Sequence, residues 1–417
     1  MTEFVKVTGV EVNRNKLTIY YDISIGLKKY FSDPYESFSI EYTDDISSVP
    51  KGIAVIPFVC NILPMIWFTD AILELPEIDK TFFESIDEFK KGFVAMYPKC
   101  TFKGVVKAND IVNYQYETNG GNAAFFSGGV DAFTTLIAHR EEHPVLMTLR
   151  GADVKMDDIE GWDNVYNHLQ KTVKDFNLPK PICVTTNFRT FINEGTLHNL
   201  VFPTAGDGWW HGFQSGIGLI GHAAPLAYIK HFEWVYVASS FDLTQKNVTC
   251  ASHYTIDNYV RFATTRVLHD QVEYSRQGKI KVIADFCKSN EKHIDLRVCW
   301  ISRGGKNCCH CEKCIRTMYG LFAEGELPEK YGFNYTSEDI KNSKNIVANA
   351  MYDALIEDQY AWMLIKDAFK ESQAFKKDEY INWIYKFDPY AKRPAPSLYQ
   401  RMRWKVGGVL RKFGLKR

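Results

Sequence analysis

The 417 residues of the chain exceed one typical domain and indicate two or three, at roughly 150 residues each. Hydrophobic residues make up 46% and charged residues 24%, a balance that excludes an intrinsically disordered chain. The 50 basic side chains cancel the 50 acidic ones, which argues against a globally basic nucleic-acid binder. Any site for a polyanion must therefore be local.

The N-terminal region, residues 1–118, is predicted to be an α/β unit. Residues 1–6 do not have the pattern of a secretory signal, so we expect a cytoplasmic protein with reduced cysteines. β-Rich runs around a polar turn predict a hairpin over 5–26. The apolar stretch 52–68 contains two prolines and is too short to span a membrane, so we predict two buried strands there. Helical spacing of apolar residues predicts a helix over 77–97.

Residues 119–290 alternate apolar runs with amphipathic stretches, the pattern of βαβ units and a parallel sheet. This pattern predicts the α/β fold class for the central domain. The predicted strands cover 123–126, 145–149, 182–186 and 235–238, and the predicted helices cover 130–139, 159–176 and 223–229.

The C-terminal part is predicted to hold a cysteine-rich lobe, residues 291–330, and a helical, aromatic-rich region, residues 331–417. Its last segment, 401–417, mixes basic and apolar side chains and predicts a basic amphipathic helix. Such a helix either lies on an anionic membrane surface or another polyanion, or is a solvated terminal helix.

The segment Ser127-Gly128-Gly129-Val130-Asp131 stands between a predicted strand and a predicted helix. Two glycines let the backbone turn sharply, and the free N–H groups and positive dipole end of the helix face the turn. A phosphate group is the natural ligand at such a turn. The alternative is an ordinary strand-to-helix connection.

This motif resembles the loop of the PP-loop ATP pyrophosphatases, the adenine nucleotide alpha-hydrolase-like superfamily, whose pattern is Ser-Gly-Gly-x-Asp-Ser/Thr. The resemblance implies a Rossmann-like, HUP-type domain that binds ATP and Mg²⁺, with Ser127 as a catalytic residue and Asp131 as a catalytic residue that positions Mg²⁺. Ala132 stands where the family carries a hydroxyl, and Thr134 or Thr135 is the candidate to replace it. The implied nucleotide contacts are Ser127, Gly128, Gly129, Val130, Asp131 and Thr134.

A second glycine pattern, formed by Gly216, Gly218 and Gly221, matches the dinucleotide fingerprint G-x-G-x-x-G. No predicted strand precedes it, and the acidic residue expected about 20 positions later is absent. We therefore interpret these glycines as close-contact positions in a packed helix.

Half of the ten cysteines lie in one short segment. Cys299, Cys308, Cys311 and Cys314 have the spacing C-x8-C-x2-C-x2-C, with which four thiolates can surround a tetrahedral zinc ion. An iron–sulfur cluster takes the same ligands and stays an alternative. The spacing resembles the zinc motif of the 7-cyano-7-deazaguanine synthase family of PP-loop enzymes, in which a glycine stands at the position of Cys309.

The two motifs occur in the order typical of that family, and the resemblance covers about residues 119–322. A group of bacterial proteins related to the synthase is also similar. They share the Arg-Val-Cys-Trp run at 297–300, the Glu-Lys-Cys-x-Arg-Thr run at 312–317 and an N-terminal extension.

Polar residues at the carboxyl ends of the predicted parallel strands are further candidates, because open α/β sheets bind ligands there. We assign Asn187 and Ser239 to nucleotide binding and Arg189 to catalysis. Arg276 belongs to a polar stretch suited to a substrate carboxylate or phosphate. The histidines considered for proton transfer are His211, His222 and His253, of which His253 is assigned a catalytic role.

Taken together, these resemblances imply an ATP-dependent adenylating enzyme that releases pyrophosphate. It would activate a carboxylate or amide for attack by a nitrogen or sulfur nucleophile, with ATP, Mg²⁺ and Zn²⁺ as cofactors. One alternative is a catalytically weakened nucleotide-binding or sensing module, motivated by Ala132. Another is a tRNA or nucleobase modification factor, which the neutral net charge disfavours.

The expected partner is a small-molecule, glycan or protein substrate. The basic terminal helix suggests contact with a membrane surface, nucleic acid is disfavoured, and a homodimer is left open.

Overall fold

The structure, a computed structural model, describes residues 2–299, 301 and 303–393. The basic helix predicted over 401–417 lies outside the described residues. The strands are β1 (Phe4–Asn13), β2 (Lys16–Ile23), β3 (Phe38–Tyr42), β4 (Ile72–Asp79), β5 (Val105–Val112), β6 (Asn122–Phe125), β7 (Val145–Arg150), β8 (Ile182–Thr186), β9 (Trp234–Ala238), β10 (Arg261–Phe262) and β11 (Thr265–Asp270).

The α-helices are α1 (Lys51–Ala54), α2 (Ile56–Thr69), α3 (Lys80–Met96), α4 (Val130–His139), α5 (Ile159–Asp175), α6 (Glu194–Ala205), α7 (Ile217–Ile220), α8 (Ala224–Lys230), α9 (Tyr254–Asp257), α10 (Arg276–Asn290), α11 (Glu312–Ala323), α12 (Ser337–Met351) and α13 (Ile356–Ser372). None of the described helices is both long and apolar enough to cross a membrane.

All the described strands belong to one sheet, in the order β10-β11-β9-β6-β7-β8-β3-β2-β1-β4-β5. Neighbouring strands are parallel from β11 to β8 and again from β1 to β5. The hairpin β1–β2 and strand β3 join these two parallel parts through antiparallel pairs. The predicted α/β class with a mostly parallel sheet is therefore confirmed.

The strand order reverses beside β6. From β6 the chain moves outward on one side to β7 and β8, and on the other side to β9 and β11. In an open parallel sheet such a reversal leaves a crevice at the carboxyl ends of the two central strands. The loop after β6 and the loop after β9 therefore lie on either side of this crevice.

Helices cover the sheet on both faces, and each face has its own hydrophobic cluster. Ala123 packs in one cluster and its neighbour Ala124 in the other, as the alternation of side chains along a strand requires. The first cluster contains the N-terminal helices. The second contains α10 to α13 and surrounds the cysteine-rich segment.

The N-terminal strands extend the same sheet as the central strands. Strand β3 pairs directly with β8, for example Ile40 with Thr186, so main-chain hydrogen bonds cross the predicted boundary at 118–119. At the other end of the chain, the Trp362 indole of α13 donates a 2.7 Å hydrogen bond to Glu312 of α11. The C-terminal helices thus cover the cysteine-rich lobe.

The prediction of two strands over 52–68 is wrong, because this segment forms α1 and α2. Nearly every residue of α2 is buried, whichever side of the helix it lies on. A continuous apolar run has no period, so its sequence cannot distinguish a buried strand from a buried helix. Pro57 lies in the first turn, where a missing N–H costs nothing.

The glycines at 216, 218 and 221 are packing positions, as predicted. A side chain at Gly216 would lie 2.0 Å from the Ala251 carbonyl oxygen, and one at Gly221 would lie 2.8 Å from Cys60. No strand directly precedes them in the described residues. The dinucleotide fingerprint is therefore a coincidence of close helix packing.

Candidate metal centre and anion-binding cleft

Four cysteines meet where the cysteine-rich loop enters α11. The Sγ atoms of Cys299, Cys308, Cys311 and Cys314 all lie within 4.8 Å of one another. The Cys299–Cys311 and Cys308–Cys314 pairs are each 3.9 Å apart. With Zn–S bonds of about 2.3 Å, tetrahedral geometry requires sulfur atoms about 3.8 Å apart. The cluster can therefore hold a metal ion such as zinc.

The spare cysteine of the segment, Cys309, lies outside this cluster. Its backbone is left-handed, with φ of 62°, and its thiol contacts the Asn307 carbonyl at 3.8 Å. Burial raises the pKa of this thiol to about 12, so Cys309 stays protonated. Left-handed backbone suits glycine best, so a glycine would fit at position 309 without strain.

Asn307 ties the two halves of the metal centre together. Its Oδ1 accepts hydrogen bonds from the backbone N–H groups of Val298 and Cys299, at 3.0 and 3.3 Å. Its Nδ2 donates to the carbonyl of Leu296 at 2.7 Å. The Asn307 side chain thus fixes the segment that carries Cys299 against the turn that carries Cys308.

The Ser127-Gly128-Gly129 loop follows β6 at the crevice. Gly128 has φ of +77°, and a Cβ there would lie 2.7 Å from the His168 ring. Its carbonyl accepts a 2.7 Å hydrogen bond from Arg297 N–H, and the Arg297 side chain donates to the Ser127 carbonyl at 3.1 Å. The loop is thereby attached to the segment that leads into Cys299.

Helix α4 begins directly after this loop and points its first turn into a small cleft. The backbone N–H groups of Val130 and Asp131 are free of intrahelical acceptors, as at any helix start. Both residues line the cleft together with Ser127 and Gly129. This is the local geometry that binds phosphate groups at helix N-termini.

Cations from three other parts of the chain converge on the same cleft. Arg276 and Lys279 come from the first turn of α10, Arg297 from the loop before Cys299, and Lys313 from α11. Asp131 accepts from Arg276 at 2.8 Å and from Lys279 at 3.4 Å. A single carboxylate thus holds two of these cations in place.

Burial makes this grouping of cations electrostatically costly. Burial alone would raise the pKa of Asp131, but the positive charges of Arg276, Lys279 and Lys313 hold it below its usual value. Burial lowers the pKa of Lys279, whose side chain is 1% exposed. Burial, and then the charge of Arg276, likewise lower the pKa of Lys313. An anion in the cleft would offset this mutual repulsion.

Helix α11 connects the metal centre with the cleft. Cys311 caps its N-terminus, accepting from the Cys314 N–H at 3.4 Å, so both residues face the metal centre. Lys313, Arg316 and Thr317 lie on another side of the same turns and line the cleft. Any change in the start of α11 therefore affects both sites.

The structure brings only some of the predicted nucleotide contacts to the cleft. Ser127, Gly129, Val130 and Asp131 line it, Gly128 lies in the same loop without lining it, and the carbonyl of Ser239 accepts from Lys279 behind it. Thr134 is fully buried and donates its hydroxyl to the Val130 carbonyl at 2.9 Å, while Thr135 is also fully buried. Neither threonine can replace the hydroxyl missing at Ala132, which itself packs in the core.

Asn187 and Arg189 hold structural contacts elsewhere. Asn187 accepts from the Ser39 N–H at 2.9 Å and so joins β8 to β3. Arg189 makes a two-pronged ion pair with Glu194, at 2.6 and 2.8 Å, and stacks on the Trp210 ring at 4.1 Å. Both side chains are already satisfied, and neither belongs to the described lining of the cleft.

The three histidines also have partners away from the cleft. His253 caps α9 through its ring nitrogen, and burial lowers its pKa to about 4. His222 is fully buried between the Gly218 carbonyl and the Thr186 hydroxyl, at 2.8 and 3.1 Å. His211 pairs with Asp207 at 3.0 Å. The described contacts place none of them beside the Ser127 loop.

Sequence reasoning missed most of the cations of the cleft. Arg276 was predicted as a candidate. Arg297, Lys313 and Arg316 belong to runs that were noted only for their cysteines, and Lys279 was not predicted. The spacing of these basic residues along the sequence could have predicted that they lie together. Arg276 with Lys279, and Lys313 with Arg316, are three apart and so share a helix face.

Comparison of the chain with protein-family models, with curated proteins and with solved structures finds no match.

Proposed function

We propose that the chain is an ATP-dependent adenylating enzyme of the PP-loop type, which converts ATP to AMP and pyrophosphate. The observation that carries the proposal is the position of the Ser127-Gly128-Gly129 loop. It lies where the strand order reverses, at the start of α4, and faces Arg276, Arg297 and Lys313. Such a site is suited to phosphate groups.

In this proposal the cleft binds the phosphates of ATP through backbone and cations. The N–H groups of Val130 and Asp131 and the hydroxyl of Ser127 would donate to phosphate oxygens. Arg276 and Lys313 would neutralise the charge that develops as pyrophosphate leaves. Catalysis would then be mainly positioning and electrostatic stabilisation. The cleft measures about 60 Å³, which suits phosphate groups rather than a whole nucleotide.

Mg²⁺ would screen the phosphate charges when ATP is bound. Both oxygens of Asp131 already bind cations of the chain. Asp153, an exposed carboxylate in the lining of the same cleft, makes no hydrogen bond or ion pair within 4 Å among the described residues, and its charge acts on Arg297 and Lys313 from farther away. We therefore assign Mg²⁺ to Asp153 and give Asp131 the role of ordering Arg276 and Lys279.

The test is to incubate the zinc-loaded protein with ATP, magnesium, ammonia and a metabolite extract, and to separate the nucleotide products. AMP with pyrophosphate, lost in the Arg276→Gln variant, supports adenylation. ADP with phosphate contradicts it. Tight ATP binding with no turnover in any extract favours the alternative of a nucleotide-sensing module.

A further inference from the structure

A second cavity, which we call the side cavity, opens beside the cleft and has a volume of about 320 Å³. The two share one wall, formed by Arg276, Lys313 and Arg316. The far wall comes from the loop after β9 and from α13, which supply Asp242, Gln245, Glu357, Tyr360 and Leu364 among others. A ligand in the side cavity would therefore lie next to the phosphates bound in the cleft.

Carboxylates of the chain neutralise two of the three cations of the shared wall. Arg276 is paired with Asp131 at 2.8 Å. Arg316 is paired with Asp358 and, at 3.4 Å, with Glu312. The third cation, Lys313, forms no close ion pair among the described residues and also lines the cleft, where bound phosphates would neutralise it.

The far wall, by contrast, offers carboxylates that lack a cation. Asp242 is only 7% exposed, and its Oδ1 accepts from the Thr244 N–H at 2.8 Å. Among the described residues, neither the Oδ2 of Asp242 nor the carboxylate of Glu357 has a hydrogen-bond or ion-pair partner. These carboxylate oxygens are open to solvent and lack a cation in the described part of the chain, so they favour a positively charged ligand.

Apolar side chains line the same cavity. Leu364 and Ala361 of α13 belong to its wall. Apolar side chains in a cavity that also holds a few polar groups can contact the apolar part of a ligand. The combination matches an ammonium group carried on an alkyl chain.

We propose that the side cavity binds the nucleophile of the reaction, a primary alkyl amine. This inference rests on the proposed function for its chemistry. The amine nitrogen would form a C–N bond with the carbonyl carbon of the acyl adenylate, and the C–O bond to AMP would break. AMP leaves with the electron pair of that bond. Two protons are released: the ammonium proton passes to the Glu357 carboxylate and then to water before the neutral amine attacks, and the second N–H proton follows the same route once the C–N bond has formed.

The test measures amine binding without ATP, using hexylamine and its neutral analogue 1-hexanol as probes. Ligand-observed NMR on the full zinc-loaded chain gives both dissociation constants. We expect hexylamine to bind at least fivefold more tightly, and Glu357→Gln to weaken it about fivefold, as expected for a partly exposed ion pair of about 1 kcal/mol. Asp242→Asn should weaken it further. Glu371→Gln, at the exposed end of the same helix, is the matched control and should change nothing.

Equal affinity for hexylamine and hexanol, or equal effects of Glu357→Gln and Glu371→Gln, would overturn the proposal. Adenosine binding that Glu357→Gln weakens, without amine binding, would assign the cavity to the nucleoside instead. If Asp242→Asn does not fold, Glu357→Gln alone decides the result. ATP cleavage without amine discrimination overturns this inference only. Amine discrimination without ATP cleavage overturns the proposed function, and with it the role of the amine as nucleophile, but retains the side cavity as an amine-binding site.

Discussion

Replacing Gly128 by alanine should disrupt the Ser127-Gly128-Gly129 loop through two separate effects. The left-handed backbone at φ +77° costs a residue with a Cβ about 1–2 kcal/mol. The new Cβ would also lie 2.7 Å from the His168 ring. That ring cannot easily move, because its Nε2 is bonded to the Asp295 carbonyl at 2.6 Å. Overpacking of this kind adds about 1–3 kcal/mol, so we expect a total loss of about 2–5 kcal/mol.

Gly129 provides the matched control one residue along the chain. Its φ is −83°, and a Cβ there would meet its nearest neighbours at 3.5 and 3.6 Å, which is ordinary contact. Alanine is a poorer helix cap than glycine, so Gly129→Ala should cost less than about 1 kcal/mol. The pair of variants therefore separates backbone strain from the mere addition of a methyl group.

Two assays measure the difference between Gly128→Ala and Gly129→Ala. Urea unfolding gives the change in free energy of unfolding. Calorimetric titration with pyrophosphate gives the affinity of the cleft. We expect Gly128→Ala to weaken pyrophosphate binding at least tenfold, because the carbonyls of residues 127 and 128 hold Arg297, whereas Gly129→Ala should retain most of the affinity. Equal losses of stability and affinity in the two variants would refute this reasoning.

Three further predictions address the metal centre, the cations and a buried histidine. Cys314→Ser should lower the amount of zinc bound per chain and loosen the start of α11, whereas Cys309→Ala should keep a full metal content, both measured by mass spectrometry. Zinc loss in both variants would contradict the ligand set. Arg276→Gln should weaken pyrophosphate binding at least tenfold and make that binding less dependent on salt. The free energy of unfolding should change by less than about 1 kcal/mol, because Lys279 still neutralises Asp131. Burial lowers the pKa of His222 to about 4, whereas a histidine in the unfolded chain has a pKa of about 6.5. As the pH falls, the unfolded chain therefore binds a proton at this residue before the folded chain does, and the free energy of unfolding decreases between about pH 6.5 and about pH 4. Between pH 7.5 and 4.5 the wild type should lose about 2–3 kcal/mol more than His222→Gln in urea unfolding, and parallel pH curves would show that this histidine is not the cause.

The central part of the fold could be predicted from the sequence because its patterns are local. The helix over 130–139 and the strand over 182–186 have the predicted bounds, and the other three predicted parallel strands differ by one or two residues. Each rests on hydrophobic period and on turn residues within a few positions. The spacing of the four cysteines is equally local, since a Cys-x2-Cys turn brings two sulfurs together whatever the rest of the chain does.

The helix over 56–69 could not be predicted in this way. Its burial on every side is a property of the packed molecule, so the sequence period carried no information. The same holds for Asn187, Arg189 and His253, whose residue types suggested chemistry. Their partners in space, such as Glu194 for Arg189, satisfy them structurally.

By itself, then, the sequence determined the α/β class, the strand-to-helix turn at Ser127-Gly128-Gly129 and the set of four clustered thiols, because each depends on neighbours along the chain. Only the tertiary structure decided which charges face that loop. Arg276, Arg297 and Lys313 lie far from Ser127 in sequence, and the packing of α10 and α11 brings them to one cleft. A charge cluster built from distant segments depends on sheet order and helix packing, which no local pattern encodes.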